Sequence, residues 1–343
     1  MNLKAIWTAA VALSIAAVAA QAAPRDGLAV RLSVDAPVVR GNVDVVVKVS
    51  VTNTTVQPIE LLRWELPTPQ HESTAFRITR DGQPVAYTGK LVKRAEPTRE
   101  DYVRIEAGAT LSYEVELTAA YDLARNGTYT IEYVGKGARD ASTGTARSEP
   151  MYLWLESRTA RARAPTAPAP PDVSISYTGN CSAARISALE QAVAAATVYA
   201  NGAYNYFNAH RGSTQRYRQW FGIENRARFA TARTHFASIL DAFANKPLTL
   251  DCSCTDSYYA YVYANQPYKI YACNAFWAAP MTGTDSKAGT LIHEMSHFTV
   301  VAGTDDWAYG QTAAAALAIS NPTNALNNAD SHEYFAENTP GLP

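Results

Sequence analysis

Residues 291–310 read LIHEMSHFTVVAGTDDWAYG. Two histidines four residues apart, His293 and His297, fall on one face of a helix. That spacing presents two imidazoles to one zinc ion, with Glu294 beside them as general base. Catalytic zinc needs a third protein ligand and an open position for water. One class of zinc protease takes it from a His six residues after the second histidine, with Gly at the third. Gly303 and Val300 stand at those places and exclude that arrangement. Glu333 and Glu337 lie on a later helical segment and would serve by spacing. Gly303 is also placed to end the helix and turn the chain back, which would let Asp305 or Asp306 face the histidines.

His293-Glu294-x-x-His297 followed by Gly303-Thr304-x-Asp306-x-x-Tyr309-Gly310 resembles the paired motifs of the aspzincins, the family of deuterolysins and peptidyl-Lys metalloendopeptidases. The resemblance implies that Asp306 is the third zinc ligand, that Asp305 is the variable position, and that Tyr309 donates a hydrogen bond to the tetrahedral oxyanion. It extends over the whole C-terminal half, cysteine pattern included. The N-terminal half is similar to a deuterolysin-type propeptide in LLRWELP (61–67), FRITRDG (76–82), LVKRAEPTREDYV (91–103) and YDL…GTYTIEY (121–133). The arrangement is similar to bacterial secreted aspzincin toxins made as prepro-enzymes. The implied fold is α+β: a helix-dominated zincin-type catalytic domain after an all-β sandwich pro-domain.

The organisation of the chain agrees. Its 343 residues set a prior of about two domains. Lys+Arg 30 against Asp+Glu 31 leaves a net charge of −1, without the basic excess of a nucleic-acid binder. Residues 1–22 read as a secretory leader, with Lys4, an apolar run and Ala20-Gln21-Ala22 as the cleavage site. A membrane anchor is the alternative, disfavoured by the short run and Pro24. Residues 23–156 carry strand alternation at 43–51, 111–117, 128–134 and 151–155, with turns at Asp81-Gly82 and Asn126-Gly127. This predicts an immunoglobulin-like sandwich. Residues 157–171 (SRTARARAPTAPAPP) read as an extended linker holding a maturation site. Residues 172–343 turn helical, with helices expected at 182–208, 227–244, 287–300 and 311–319 and two or three short strands between 248 and 277.

All four cysteines lie in that second half. Cys252 and Cys254, two apart in an expected strand, are poorly placed to bridge each other. Of the two pairings that remain, Cys181–Cys252 with Cys254–Cys273 is the one expected. Asp330 and Glu333 are three apart and share a helix face. They read either as a solvated helix start or as a pocket for a cationic side chain. Peptidyl-Lys members of the family carry an acidic pair there, so the resemblance implies cleavage before Lys, with Arg a rival.

A secreted zinc endopeptidase, monomeric and without a membrane anchor, is the leading expectation. Its own propeptide would act as intramolecular inhibitor, with a lysine from residues 90–94 filling the acidic pocket. Two rival readings are a thermolysin-like protease with Glu333 as third ligand and a binding protein whose zinc domain is inactive.

Overall fold

The computed structural model describes residues 27–70, 74–135, 146–159, 174–210, 212 and 214–343. The leader expected at 1–22, and the maturation site with nearly all of the linker, lie outside the described residues.

The N-terminal half is built of short strands. They are β1 (Leu28–Ser33), β2 (Val38–Arg40), β3 (Val46–Asn53), β4 (Ile59–Leu62), β5 (Phe76–Arg80), β6 (Gln83–Pro84), β7 (Lys90–Lys93), β8 (Tyr102–Ile105), β9 (Thr110–Glu116), β10 (Gly127–Tyr133) and β11 (Met151–Glu156). A three-stranded sheet runs β1-β3-β9 and a five-stranded sheet β2-β11-β10-β5-β6, with β4 and β8 paired beside them. Alternation explains the packing. In β3, Val47, Val49 and Val51 point inward while Val46 and Lys48 face out. They meet Ile78, Tyr129, Ile131, Leu153 and Leu155 from the larger sheet in one apolar core.

One strand leaves this half. β7 joins a sheet of the C-terminal half, in the order β12-β13-β15-β14-β7. Here β12 is Ile175–Thr178, β13 Leu248–Asp251, β14 Ala260–Tyr263 and β15 Lys269–Ala272. The registers of β12, β13 and β15 are parallel, and β14 runs antiparallel to β15. β7 is antiparallel to β14, with Lys93 opposite Ala260 and Val92 opposite Tyr261. The expected all-β half thus lends a strand to its neighbour, a crossing that local alternation does not reveal.

Helices cover the sheet: α1 (Ala183–Ala209), α2 (Gln215–Phe221), α3 (Arg226–Asn245), α4 (Asn274–Ala278), α5 (Lys287–His297), α6 (Gln311–Ser320), α7 (Pro322–Leu326) and α8 (Ala329–Glu337). Ser182, Thr214, Asn225 and Ser286 cap α1, α2, α3 and α5 by accepting backbone N–H groups of the first turn. Every residue of α5 and of α8 is buried. Both bridges form as expected, Cys181–Cys252 and Cys254–Cys273. They tie the start of α1 to the end of β13, and the loop after β13 to the end of β15. The whole is a mixed helix-and-sheet, α+β chain. Among the described residues no helix is long and apolar enough to cross a membrane.

Candidate metal centre and lysine pocket

Helix α5 carries His293, Glu294 and His297 through the middle of the core. The sequence spacing extends it to 300, but it stops at His297. Phe298 is already extended, and Gly303, at φ +62°, sends its N–H back to the Phe298 carbonyl. That tight return is why a glycine stands there. It delivers Thr304, whose carbonyl lies 2.9 Å from His297 Nδ1. This contact holds the ring with Nε2 facing inward, since a metal-ligating histidine usually gives its other ring N–H to a carbonyl or carboxylate. Asn328 then shapes the following loop, its Oδ1 accepting from the N–H groups of Trp307 (2.9 Å) and Ala308 (3.0 Å).

The loop places Asp306, not Asp305, against the histidines. Asp306 Oδ1 is 3.2 Å from His293 Nε2 and 3.4 Å from His297 Nε2, and the two Nε2 atoms are 3.1 Å apart. Three donors about 2.0–2.1 Å from a tetrahedral zinc stand roughly 3.3 Å from one another. The triangle therefore fits one zinc ion, in size and in its two imidazoles and one carboxylate. Asp305 turns away: Thr74 donates to its Oδ2 at 2.6 Å and the Asp306 N–H to its Oδ1 at 2.8 Å.

Charge supports the geometry. Burial disfavours the Asp306 carboxylate, but the two imidazoles outweigh it and hold its pKa well below the usual range. Burial likewise opposes a proton on His293, and Asp306, Asp330 and Glu333 outweigh it. Glu294, wholly buried, is pushed up to about 7 by burial, against the pull of His293 and His297. A carboxyl poised there can exchange a proton near neutral pH. Tyr309 is buried beneath Trp64, edge to face at 5.8 Å. Its hydroxyl has no hydrogen-bond partner among the described residues. Burial and the Asp306 charge raise it well above its ordinary value.

A second cluster of charge begins at the other nitrogen of the same ring. His293 Nδ1 lies 2.8 Å from Asp330 Oδ1 and 3.4 Å from Glu333 Oε2. Both carboxylates project from α8, three residues apart as the sequence spacing predicts. Into them reaches Lys93 from β7. Its Nζ is 3.0 Å from Asp330 Oδ1, 2.9 Å from Glu333 Oε2 and 3.0 Å from Asp285 Oδ1, and 3.4 Å from the Tyr334 hydroxyl. Lys93 is fully buried. Burial alone would lower its pKa, yet Asp330, Glu333, Tyr334 and Asp285 raise it well above 10.5, so it remains an ammonium.

Glu333 consequently does not complete the metal triangle. It lies on the Nδ1 side of His293 and against the lysine, whereas the thermolysin-like alternative would need it beside both Nε2 atoms. Glu337 is engaged elsewhere, accepting from the N–H of Ser286 at 3.0 Å and its hydroxyl at 2.7 Å.

Asp285 and Tyr334 complete the pocket and escaped the sequence reading. Asp285 sits at φ +50° just before the cap of α5, and Tyr334 donates to its Oδ1 at 2.7 Å. No spacing rule links residues 285 and 334; the approach of α5 to α8 does. Gly289 permits that approach, since a Cβ there would stand 2.0 Å from Glu337 Oε1 and 3.0 Å from Glu333 Oε1.

The backbone of β7 also meets the centre. The Val92 N–H donates to Asp306 Oδ2 at 3.0 Å and the Lys93 N–H to Glu294 Oε1 at 3.2 Å.

Comparison with known proteins agrees with these motifs. A family profile described as lysine-specific metallo-endopeptidase, the aspzincins, matches residues 206–337. An extracellular protease of Aeromonas hydrophila is 44% identical over 342 residues, covering 96% of this chain and 97% of that protein. The chain belongs to the aspzincin family. An aspzincin is a zinc metalloendopeptidase, and this one is a hydrolase of peptide bonds. Two peptidyl-Lys metalloendopeptidases are also similar to it. That of Armillaria mellea is 37% identical over 96% of both chains. That of Pleurotus ostreatus is 51% identical over 47% of this aspzincin and 96% of its own length.

Proposed function

We propose that this aspzincin is an exported zinc endopeptidase that cuts before lysine and is made as a latent precursor. The single observation that carries the reading is Lys93. A lysine of this chain lies in a pocket of three carboxylates and a hydroxyl, while its own backbone N–H faces Glu294. A substrate lysine following the scissile bond would take the same seat.

His293, His297 and Asp306 would hold the metal. Bound zinc supplies Lewis acidity, polarising a carbonyl and making water nucleophilic near neutral pH. Glu294 takes the water proton and returns it to the leaving amine. Tyr309 donates to the oxyanion once substrate is present. Asp330, Glu333 and Asp285 anchor the ammonium. The pocket converges on one compact point, which suits an ammonium better than a planar guanidinium.

We read residues 1–22 as the leader, 23–156 as the pro-domain, which we take as an immunoglobulin-like sandwich, 157–171 as the processing linker and 172–343 as the protease. The Pleurotus ostreatus relative, matching 47% of this chain over 96% of its own length, supports the division. Latency would come from β7, which covers the cleft as an added strand. Its Leu91 and Val92 are buried against the C-terminal half, each contributing about 1.5–3 kcal/mol of docking. The relatives' names, an extracellular protease among them, support export.

The test is a map of the bonds that the processed enzyme cuts in an unfolded protein, read by mass spectrometry. Cuts before Lys, abolished by chelation and restored by zinc, are expected. Cuts without residue preference, or insensitive to chelation, would overturn the reading.

A further inference from the structure

Resting on that reading, we infer that the Val92–Lys93 peptide bond is itself a substrate of the enzyme, seated for intramolecular cleavage in the precursor.

Three observations converge on this bond. The first is direction. Without β7, strand β14 would be a bare edge of its sheet, the place where an extended peptide adds by backbone pairing. β7 takes that place antiparallel, and the Tyr259 N–H donates to the Lys93 carbonyl at 3.0 Å.

The second is register. The seat beside the metal triangle holds Lys93, although another basic residue adjoins it. Arg94 lies outside the pocket, its guanidinium 4.7 Å from the Trp64 ring and 5.3 Å from that of Tyr258. The pocket reads one of two adjacent basic side chains, and the one it reads puts Val92 on the acyl side.

The third is the placement of the leaving nitrogen. The Val92 carbonyl carbon lies in the chain between two backbone N–H groups, that of Val92 donating to Asp306 Oδ2 and that of Lys93 to Glu294 Oε1. The nitrogen facing Glu294 is that of Lys93, which becomes the leaving amine when this bond breaks. Glu294 is thus within reach of the atom it must protonate.

The step is a hydrolysis. Water oxygen bonds to the Val92 carbonyl carbon and the C–N bond breaks. Glu294 passes one water proton to the Lys93 nitrogen, and the second leaves the new hydroxyl for the same nitrogen, so that a carboxylate remains on Val92 and an ammonium on Lys93. Both ends remain attached to strands of the N-terminal half, so the nick loosens the plug without releasing it. Val92 and Lys93 are fully buried, which limits water access and makes this bond slower than one in a free peptide.

The experiment uses the full-length precursor as wild type, Glu294→Gln, Lys93→Ala and Lys93→Arg, each held with zinc at pH 7.5. Samples are denatured and read by intact mass. The wild type is expected to yield a fragment ending at Val92 and one beginning at Lys93, at a rate unchanged over 100-fold dilution. Glu294→Gln is expected to lose both, and Lys93→Ala and Lys93→Arg to lose this cut. The inference is overturned if the bond stays intact in molecules already cut in the linker, if Glu294→Gln is nicked equally, or if the rate scales with concentration. The processed enzyme is assayed in parallel on a lysyl peptide. Failure there overturns the proposed function; success there with an intact 92–93 bond overturns this inference alone.

Discussion

Two clusters of buried charge share the His293 ring, and they are built differently. On the Nε2 side, two imidazoles and one carboxylate form a triangle with edges of 3.1–3.4 Å. On the Nδ1 side, three carboxylates and a phenol surround an ammonium at 2.9–3.4 Å. The first set is sized for a small divalent ion at short bond lengths. The second matches the longer hydrogen bonds of Lys. In the proposed function, one ring would couple the place where a bond breaks to the place where the next side chain is read.

Removing Asp306 should break the first cluster and leave the second standing. Asp306→Ala is expected to strip zinc and to lower activity by more than the 10–100-fold typical of losing a group that only supports a metal ligand, checked by metal analysis and peptide hydrolysis. Asp330→Asn touches both clusters. Breaking a buried ion pair costs about 3–5 kcal/mol, so kcat/KM on lysyl bonds should fall about 10²–10⁴-fold, with weaker zinc binding alongside.

Gly289→Ala should sharpen the comparison from the other side. Its methyl group would displace Glu337 and press on Glu333. Lysyl-bond cleavage should fall, and zinc content, measured on the same sample, should stay near that of the wild type.

The smallest effect concerns pH, behind the pocket rather than in it. His235 Nδ1 and His332 Nε2 are 3.0 Å apart, and His332 Nδ1 lies 2.9 Å from the Asn328 carbonyl. Burial lowers His235 to about 4; burial, then the neighbouring His235, lowers His332 to about 3. Unfolded histidine titrates near 6.5. Between those values the unfolded chain binds more protons, so this stability is fully present above about 6.5 and is lost as pH falls through 6 towards 3. The raised carboxyls of Glu294, about 7, and Glu337, about 8, act in the opposite direction over this window, so the histidine contribution is read as a difference: from pH 7.5 to 5 the denaturant midpoint of wild type should fall relative to that of His332→Phe.

What the sequence reveals follows the range of its signals. His293, Glu294 and His297 are legible because helical spacing is local. Asp306 follows by family resemblance, and both cysteine pairs are where the expected pairing puts them. The limits of α1 and α3 lie within a residue or two of the apolar pattern. By contrast β7 is only four residues, KLVK, with no alternation, and its partner β14 lies some 170 positions later. Residues 90–94 can be named as a source of a pocket-filling lysine, but neither the strand nor the choice of Lys93 can be read from them. Asp285 is invisible for the same reason: its role comes from helix approach, not from spacing. The immunoglobulin-like expectation rests on alternation that many all-β arrangements share.

Lys93 occupying the seat of a substrate lysine is the point on which the proposed function turns. The measurement is the initial rate at which the uncut full-length chain hydrolyses a lysyl peptide, wild type against Lys93→Ala, with intact mass confirming that no chain has been processed. Losing the buried lysine should weaken the plug by about 3–5 kcal/mol, so the variant is predicted to be faster by about 10²-fold or more. Equal rates for the two chains would contradict it.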